Sequence, residues 1–273
     1  MTRIIAVAMQ KGGVGKTTTT INLSAGLAEL GYCVLAIDLD PQGNLTQHVG
    51  LDPEQVSPTI YNVFKAELDG LELPARQAVQ KCDEGFDLLP AQPELSMIEL
   101  SLMNTLSRER VLATVLEDLK GDYDFILIDC SPSLNLLVIN ALTAADSVLI
   151  PIQTEYLAAR GAFMILSTVE TVRRKKLNPT LEIEGILLTM ADTRTLLAQD
   201  VVSAVQNEFG GGQRIFEATV KRSVRFAESA VAGQSILAFD PTGQGAEAYR
   251  SVAAEIADDR TPGQIDREAA AHG

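Results

Sequence analysis

Along the chain, short apolar runs bounded by turn residues alternate with segments in which apolar positions recur at helical spacing. The runs at 4–9, 33–38, 86–89, 125–129, 147–152, 183–189 and 215–219 predict strands, and the spacing between them predicts helices over 16–30, 94–103, 108–120, 135–144, 161–175, 197–209 and 243–256. A run such as Phe125-Ile126-Leu127-Ile128 is apolar at every position rather than at every second one, so its strand is covered on both faces. The alternation of strand and helix therefore predicts an α/β fold: a single-domain, doubly wound, mostly parallel sheet with helices on both faces. Gly31 stands just past the first helix, where a left-handed cap needs a residue without a Cβ. The stretch 57–82 carries Ile60, Val63, Phe64, Leu71, Leu73 and Val79 and predicts short helices decorating the sheet.

Composition narrows the class. The 273 residues are 46% hydrophobic, enough for a substantial core, and neither a repeat nor a low-complexity linker divides them. Residues 1–257 are expected to form one domain, and the apolar-poor stretch 258–273 a flexible tail. Lys and Arg number 22 against 36 Asp and Glu, a net charge of −14, so any contact with nucleic acid must come from a local basic patch. Cys33, Cys82 and Cys130 are far apart, with no C-x-x-C, which fits a reducing compartment and argues against a disulfide framework or a zinc site. No apolar run approaches the ~20 residues of a membrane span. A cytoplasmic protein is expected. Of the histidines, His48 is expected on a surface helix and His272 in the tail.

The chemistry begins directly after the first apolar run, in Gln10-Lys11-Gly12-Gly13-Val14-Gly15-Lys16-Thr17-Thr18. The usual pattern G-x-x-x-x-G-K-[ST] requires glycine where this chain has Gln10. The physics survives the departure. Three glycines let the backbone bend and turn its N–H groups onto an anion, and the helix starting near Lys16 adds its positive end. Lys16 can then reach β and γ phosphates, and Thr17 can offer its hydroxyl to Mg²⁺. Asp129 ends an apolar run at the carboxyl end of a predicted strand, where open α/β sheets bind ligands, and is placed to hold the metal. Asp38 and Asp40, two positions apart in Asp38-Leu39-Asp40-Pro41-Gln42-Gly43-Asn44, lie on one side of the chain. One can serve the metal shell while the other orients a water. Lys11 has no part in an ordinary phosphate loop.

These stretches, with Ile128-Asp129-Cys130-Ser131-Pro132-Ser133, Glu184-Gly185-Ile186-Leu187-Leu188-Thr189-Met190 and Val224-Arg225-Phe226-Ala227-Glu228, resemble the ParA/MinD family of P-loop ATPases with a deviant Walker A motif. The resemblance covers residues 3–257 and is closest to the small, Soj-like ParA branch. It implies ATP and Mg²⁺ as cofactors and a homodimer in the ATP state. Lys11 is then the signature lysine that reaches the partner's phosphates, and Gly12 lets the two loops approach. Gly13, Val14 and Gly15 complete the phosphate cradle, Lys16 binds phosphate, Thr17 is a Mg²⁺ ligand and Thr18 touches the α-phosphate. Asp40 positions the hydrolytic water, Asp129 is the Walker B carboxylate, and Asp38 joins the metal site. The resemblance also implies non-specific binding to double-stranded DNA by the dimer. Arg194 and Arg222 occupy matching positions, with Lys221, Arg225 and Arg214 as neighbours. A ParB-like or cargo-adaptor protein would stimulate hydrolysis, and the expected place of action is the nucleoid. The cluster Arg173-Arg174-Lys175-Lys176 is read instead as a match to the negative end of its helix.

The chain departs from the family in Val220-Lys221-Arg222-Ser223, where Ile-Pro-Arg-Asn is usual, in Ser229-Ala230-Val231-Ala232-Gly233, which lacks a proline, and at Ser131. These differences point to a divergent partner or cargo. The loop starts at residue 10, so no operator-binding domain of the larger plasmid relatives is expected before it. Two other readings are weaker. A MinD-like membrane ATPase would end in a basic amphipathic helix, whereas residues 258–268 hold one large apolar residue, Ile265, among mixed charges. An iron–sulfur carrier would need paired cysteines, whereas Cys33 and Cys130 read as small buried hydrophobes.

Overall fold

A computed structural model describes residues 2–153, 158–191 and 214–258. One eight-stranded sheet runs in the order β3-β4-β2-β5-β1-β6-β7-β8. Its strands are β1 (Arg3–Val7), β2 (Val34–Leu39), β3 (Gln80–Lys81), β4 (Asp87–Leu89), β5 (Phe125–Cys130), β6 (Ser147–Gln153), β7 (Glu182–Ala191) and β8 (Val220–Lys221). Every pairing is parallel except β3 with β4. The α-helices are α1 (Lys16–Glu29), α2 (Asn44–His48), α3 (Ile60–Asp69), α4 (Leu95–Met103), α5 (Val111–Val115), α6 (Leu136–Ala144), α7 (Ala158–Arg174), α8 (Arg225–Val231), α9 (Ile236–Phe239) and α10 (Gln244–Asp258).

The strands sort their side chains by parity. Ile126, Ile128 and Cys130 of β5 join Leu35, Ile37 and Leu39 of β2 in the core under α3, α4, α5, α6 and α7. Phe125 and Leu127 join Val34 and Ala36 in the core under α1 and α10. Both faces are thus apolar, as the continuous runs predict. On the second face α1 and α10 lie so close that a Cβ on Gly26 would stand 3.0 Å from the Cβ of Ala253. Gly31 adopts φ 89° just past α1, as its position in the sequence predicts.

Two expectations change. The stretch 108–120 is not one helix. Asn140 ties its entry, accepting from Leu112 N at 3.0 Å and donating to Arg108 O at 2.8 Å, so α5 starts only at Val111 and tightens into a 3₁₀ turn over Leu116–Leu119. The stretch 215–219 contributes a single bridge, Ile215 to Ile186, because Phe216 turns into the core. Its ring takes the space a side chain on Gly185 would fill, a Cβ there lying 2.8 Å from the ring, and pairing resumes at Val220. The short elements α2, β3, α8 and α9 span too few residues to show a period. The helix predicted over 197–209 lies outside the described residues.

Candidate functional site

The seven mutually parallel strands end on one edge of the sheet, and the glycine-rich loop follows β1 there. Because β5 sits between β1 and β2, Asp129 is opposite Val7 on one side and Asp38 on the other. The loop bends through left-handed Gly13 at φ 73° and Gly15 at φ 88°, and Gly15 caps α1, whose N-terminus faces the cleft. The cleft has a volume of about 970 Å³. Gly12, Gly13, Gly15, Lys16, Thr17 and Thr18 line its floor, Asp40, Gln42 and His48 one wall, and the turn at 230–233 the far wall.

The polar groups in it are tightly connected. Thr17 Oγ1 donates to Asp129 Oδ2 at 2.7 Å, while the other oxygen of Asp129, also buried, meets no donor among the described residues. A divalent cation bound there would satisfy that oxygen with chemistry suited to it. Burial, and after it the neighbouring Asp38, push the Asp129 carboxyl well above its usual range, against the pull of Thr17 and Lys16. Lys16 Nζ donates to Lys11 O at 3.1 Å. Burial lowers its pKa, while the carboxylates of Asp129 and Asp40 act to raise it. Asp38 is fully enclosed. Thr46 donates to its Oδ2 from both N–H, at 2.8 Å, and hydroxyl, at 2.7 Å, and Asp40 N donates to its Oδ1 at 3.2 Å. Burial raises its pKa to about 6, opposed by those hydrogen bonds. Asp40 stands at the cleft wall, its Oδ1 accepting from Gln42 N at 3.0 Å.

The comparisons agree with this geometry. A family model described as an AAA domain matches residues 2–183. The chain is 44% identical over 257 residues to the sporulation initiation inhibitor protein Soj of Bacillus subtilis, which covers 94% of this chain and 99% of that protein. It is 42% identical over 257 residues, 93% of each chain, to the chromosome partitioning protein ParA of Caulobacter vibrioides. The chain belongs to the ParA/MinD family of P-loop ATPases. Within that family it is a Soj/ParA-type ATPase of the class that partitions or positions other structures. Among solved structures it resembles cobyrinic acid a,c-diamide synthase of Mycobacterium smegmatis with bound ATP analogue and magnesium, at TM-score 0.83 and 36% identity over 97% of this chain and 98% of that one. It also resembles the septum site-determining protein MinD of Pyrococcus horikoshii complexed with Mg-ADP, at TM-score 0.74 and 27% identity over 99% and 98%. No helix among the described residues is long and apolar enough to cross a membrane.

Of the basic residues expected to meet DNA in this ATPase, Lys221, Arg222 and Arg225 line one hollow beside β8. Lys221 and Arg222 are exposed at the β8 edge of the sheet, and Lys221 Nζ donates to Gln244 Oε1 at 3.4 Å. Arg225 is exposed but braced: it pairs with Glu228 at 2.8 Å and Asp240 at 3.3 Å and lies over the Phe239 ring at 4.7 Å. Arg214 donates to Glu255 and covers the ring of Phe216, so its side chain serves the fold. Arg194 lies outside the described residues. Arg173 donates to Leu181 O at 2.6 Å and pairs with Glu170 at the end of α7, a structural engagement in line with the helix-end reading.

Two readings of single residues are corrected. Cys33 is half-buried rather than enclosed, whereas Cys130 is in the core and burial raises its thiol pKa. His48 is not a surface residue. It is 7% exposed, and its Nε2–H donates to Gln234 O at 3.0 Å, joining α2 to the segment after α8. Burial lowers its pKa below the ordinary 6.5, outweighing the Gln234 carbonyl and the charge of Glu84. The unfolded chain therefore binds a proton that the folded one resists. Stability from this group is complete above about pH 6.5 and is lost as pH falls below it. Denaturant midpoints between about pH 8 and 5 should show that loss, and His48→Gln should flatten it.

Sequence reasoning missed four supports of the site. They are Thr46 on Asp38, Thr189 Oγ1 donating to Val14 O at 2.8 Å, Met190 in the cleft wall, and Gln153 under the loop. A signal existed for two of them: Gln153 and Thr189 stand at or near the carboxyl ends of predicted strands, the rule that located Asp129.

Proposed function

We propose that this ATPase binds ATP with Mg²⁺, closes into a homodimer, attaches to double-stranded DNA without sequence preference, and segregates or positions a cargo. The cargo is a chromosome, a plasmid or a protein complex. A ParB-like or adaptor partner stimulates its hydrolysis. Residues 1–257 act as one ATPase unit in this reading, with 258–273 as a tail, and the protein works in the cytoplasm on the nucleoid.

The observation that carries the reading is the buried Asp129 oxygen without a donor, beside a carboxylate already hydrogen-bonded to Thr17. Thr17 and Asp129 would hold the magnesium, which when bound neutralises charge on the β and γ phosphates. Loop N–H groups from Gly13 to Thr18 and the Lys16 ammonium cradle the phosphates, and the α1 N-terminus adds its dipole. Asp38 supports this shell from behind, since both its oxygens already accept hydrogen bonds and its charge makes Asp129 more basic. Asp40 orients the attacking water. Lys11 supplies the charge that reaches the partner's phosphates, and until the partner arrives hydrolysis is slow because the transition-state charge is incompletely met.

Lys221, Arg222 and Arg225, doubled by dimerisation and joined by Arg194, form the patch for DNA phosphates. Their contacts would make affinity fall with salt even though the chain carries −14 overall. Retention on a non-specific duplex tests this with ADP, with ATP, and with ATP plus an Asp40→Ala variant. Retention should require ATP, persist in the variant, and weaken about 10³-fold between ~50 and ~200 mM salt if some six phosphates are neutralised per dimer. Intact ATPase activity without ATP-dependent retention would overturn the DNA-based reading.

A further inference from the structure

One buried polar side chain beneath the phosphate loop has no role in the reaction as described so far. Gln153 ends β6 and is 9% exposed. Its Nε2 donates to Gly13 O at 2.6 Å and points at Met190 Sδ, 2.9 Å away, while its Oε1 accepts from Lys11 Nζ at 3.0 Å. Only a side chain with a donor and an acceptor on one carbon serves an ammonium and a carbonyl together. Flipping the amide would set N–H against ammonium and oxygen against carbonyl, so the chemistry fixes its orientation. The wall against which it rests is itself constrained, because Met190 adopts φ 50°, a conformation bulky residues seldom take.

We propose that Gln153 is a positioning residue of this ATPase: it holds Lys11 in cis over its own loop, and exchange of Gln153 for phosphate is what delivers Lys11 to the partner. The inference rests on the reading of Lys11 as a trans-acting lysine. Two bonds transmit the state of the loop to Lys11. Its carbonyl accepts from Lys16 Nζ, which turns to phosphate when nucleotide enters, and its ammonium shares the Gln153 amide with Gly13, whose peptide belongs to the same cradle. An amide oxygen is a neutral acceptor and a phosphate oxygen a charged one, so the ammonium changes partner once a partner's phosphate is within reach. Before that, the cis bond withholds it.

Two substitutions should act in opposite directions. Both give up the donor to Gly13, but Gln153→Leu also removes the amide oxygen that accepts from Lys11, whereas Gln153→Glu replaces it with a charged acceptor that strengthens this hold. In the nucleotide-free full-length chain, acylation of the Lys11 amine, read by mass spectrometry against Lys65, should rise about fivefold in Gln153→Leu and fall in Gln153→Glu. ATP-dependent dimerisation, followed by sedimentation, should occur at about fivefold lower protein concentration in the first variant and at higher concentration in the second. ADP affinity, which needs no partner, should fall to a similar extent in both variants because both lose the donor to Gly13, so opposite shifts in dimerisation report on Lys11. Unchanged Lys11 acylation in both variants would overturn the proposal. So would dimerisation weakened alike in both, which is what a merely structural glutamine predicts. If acylation follows Gln153 but the native chain stays monomeric with ATP, the trans reading of Lys11 fails, and the delivery step fails with it.

Discussion

An Asp40→Ala variant should bind ATP at close to native affinity yet release phosphate at least about 10²-fold more slowly, the loss expected when a group that positions or activates water is removed. The side chain sits in the cleft wall next to the phosphate loop, and Gln42 N–H fixes its Oδ1 at 3.0 Å. Among the described residues no hydrogen bond joins it to the loop glycines or to Lys16, which it reaches through charge alone. The consequence reaches beyond turnover. If hydrolysis is what ends the DNA-bound state, the variant stays on DNA in ATP and does not cycle off. Asp40→Asn separates the catalytic role from a structural one, because the amide oxygen can still accept from Gln42 N while the negative charge is gone. Phosphate release should be depressed in both variants, and binding of a fluorescent ATP analogue should be normal in both. Turnover at the native rate in Asp40→Ala would remove Asp40 from the reaction and leave it a turn-former ahead of Pro41.

The parts of this molecule that could be read in advance are those where one residue type answers to one physical requirement. Continuous apolar runs mark buried parallel strands, and β1, β2, β5, β6 and β7 appear close to where those runs lie. Gly13, Gly15 and Gly31 are legible because φ values of 73°, 88° and 89° suit glycine and little else. Asp129 is legible because a carboxylate ending an apolar strand has no folding reason to be there. What could not be read depends on partners far away in sequence. The helix over 108–120 is broken by Asn140 from another element, and the strand at 215–219 by a ring that needs the bare backbone of Gly185. His48 looks like a surface residue until the carbonyl of Gln234, 186 positions away, closes over it. The site divides in the same way. Groups facing phosphate form contiguous motifs, whereas Thr46, Gln153 and Thr189 hold those motifs in place by hydrogen bonds across the fold; strand-end position points to the last two, and nothing in local spacing announces Thr46.

Lys16→Ala should abolish productive ATP binding, and the native surroundings of Lys16 explain why the effect is large. Lys16 is 7% exposed, the charge of its ammonium is disfavoured by burial, and in the chain without nucleotide that ammonium donates to the Lys11 carbonyl at 3.1 Å. Asp129 and Asp40 supply part of the compensation, and a triphosphate supplies the rest through charged hydrogen bonds. Two such bonds at roughly 1.5–3 kcal/mol each correspond to a loss of about 10²-fold or more in affinity. Alanine also leaves Asp129 and Asp40 without the Lys16 charge, so phosphate meets carboxylates with less compensation and the penalty grows. Thermal unfolding measures this directly. Ligand at ~100 times its Kd stabilises the native chain by about 2.7 kcal/mol, a rise of roughly 5–10 °C for a domain of this size. The variant should unfold cooperatively without nucleotide and show no such rise with Mg-ATP. The cooperative transition separates lost binding from lost fold, and a full rise in the variant would mean that the loop N–H groups hold the phosphates without Lys16.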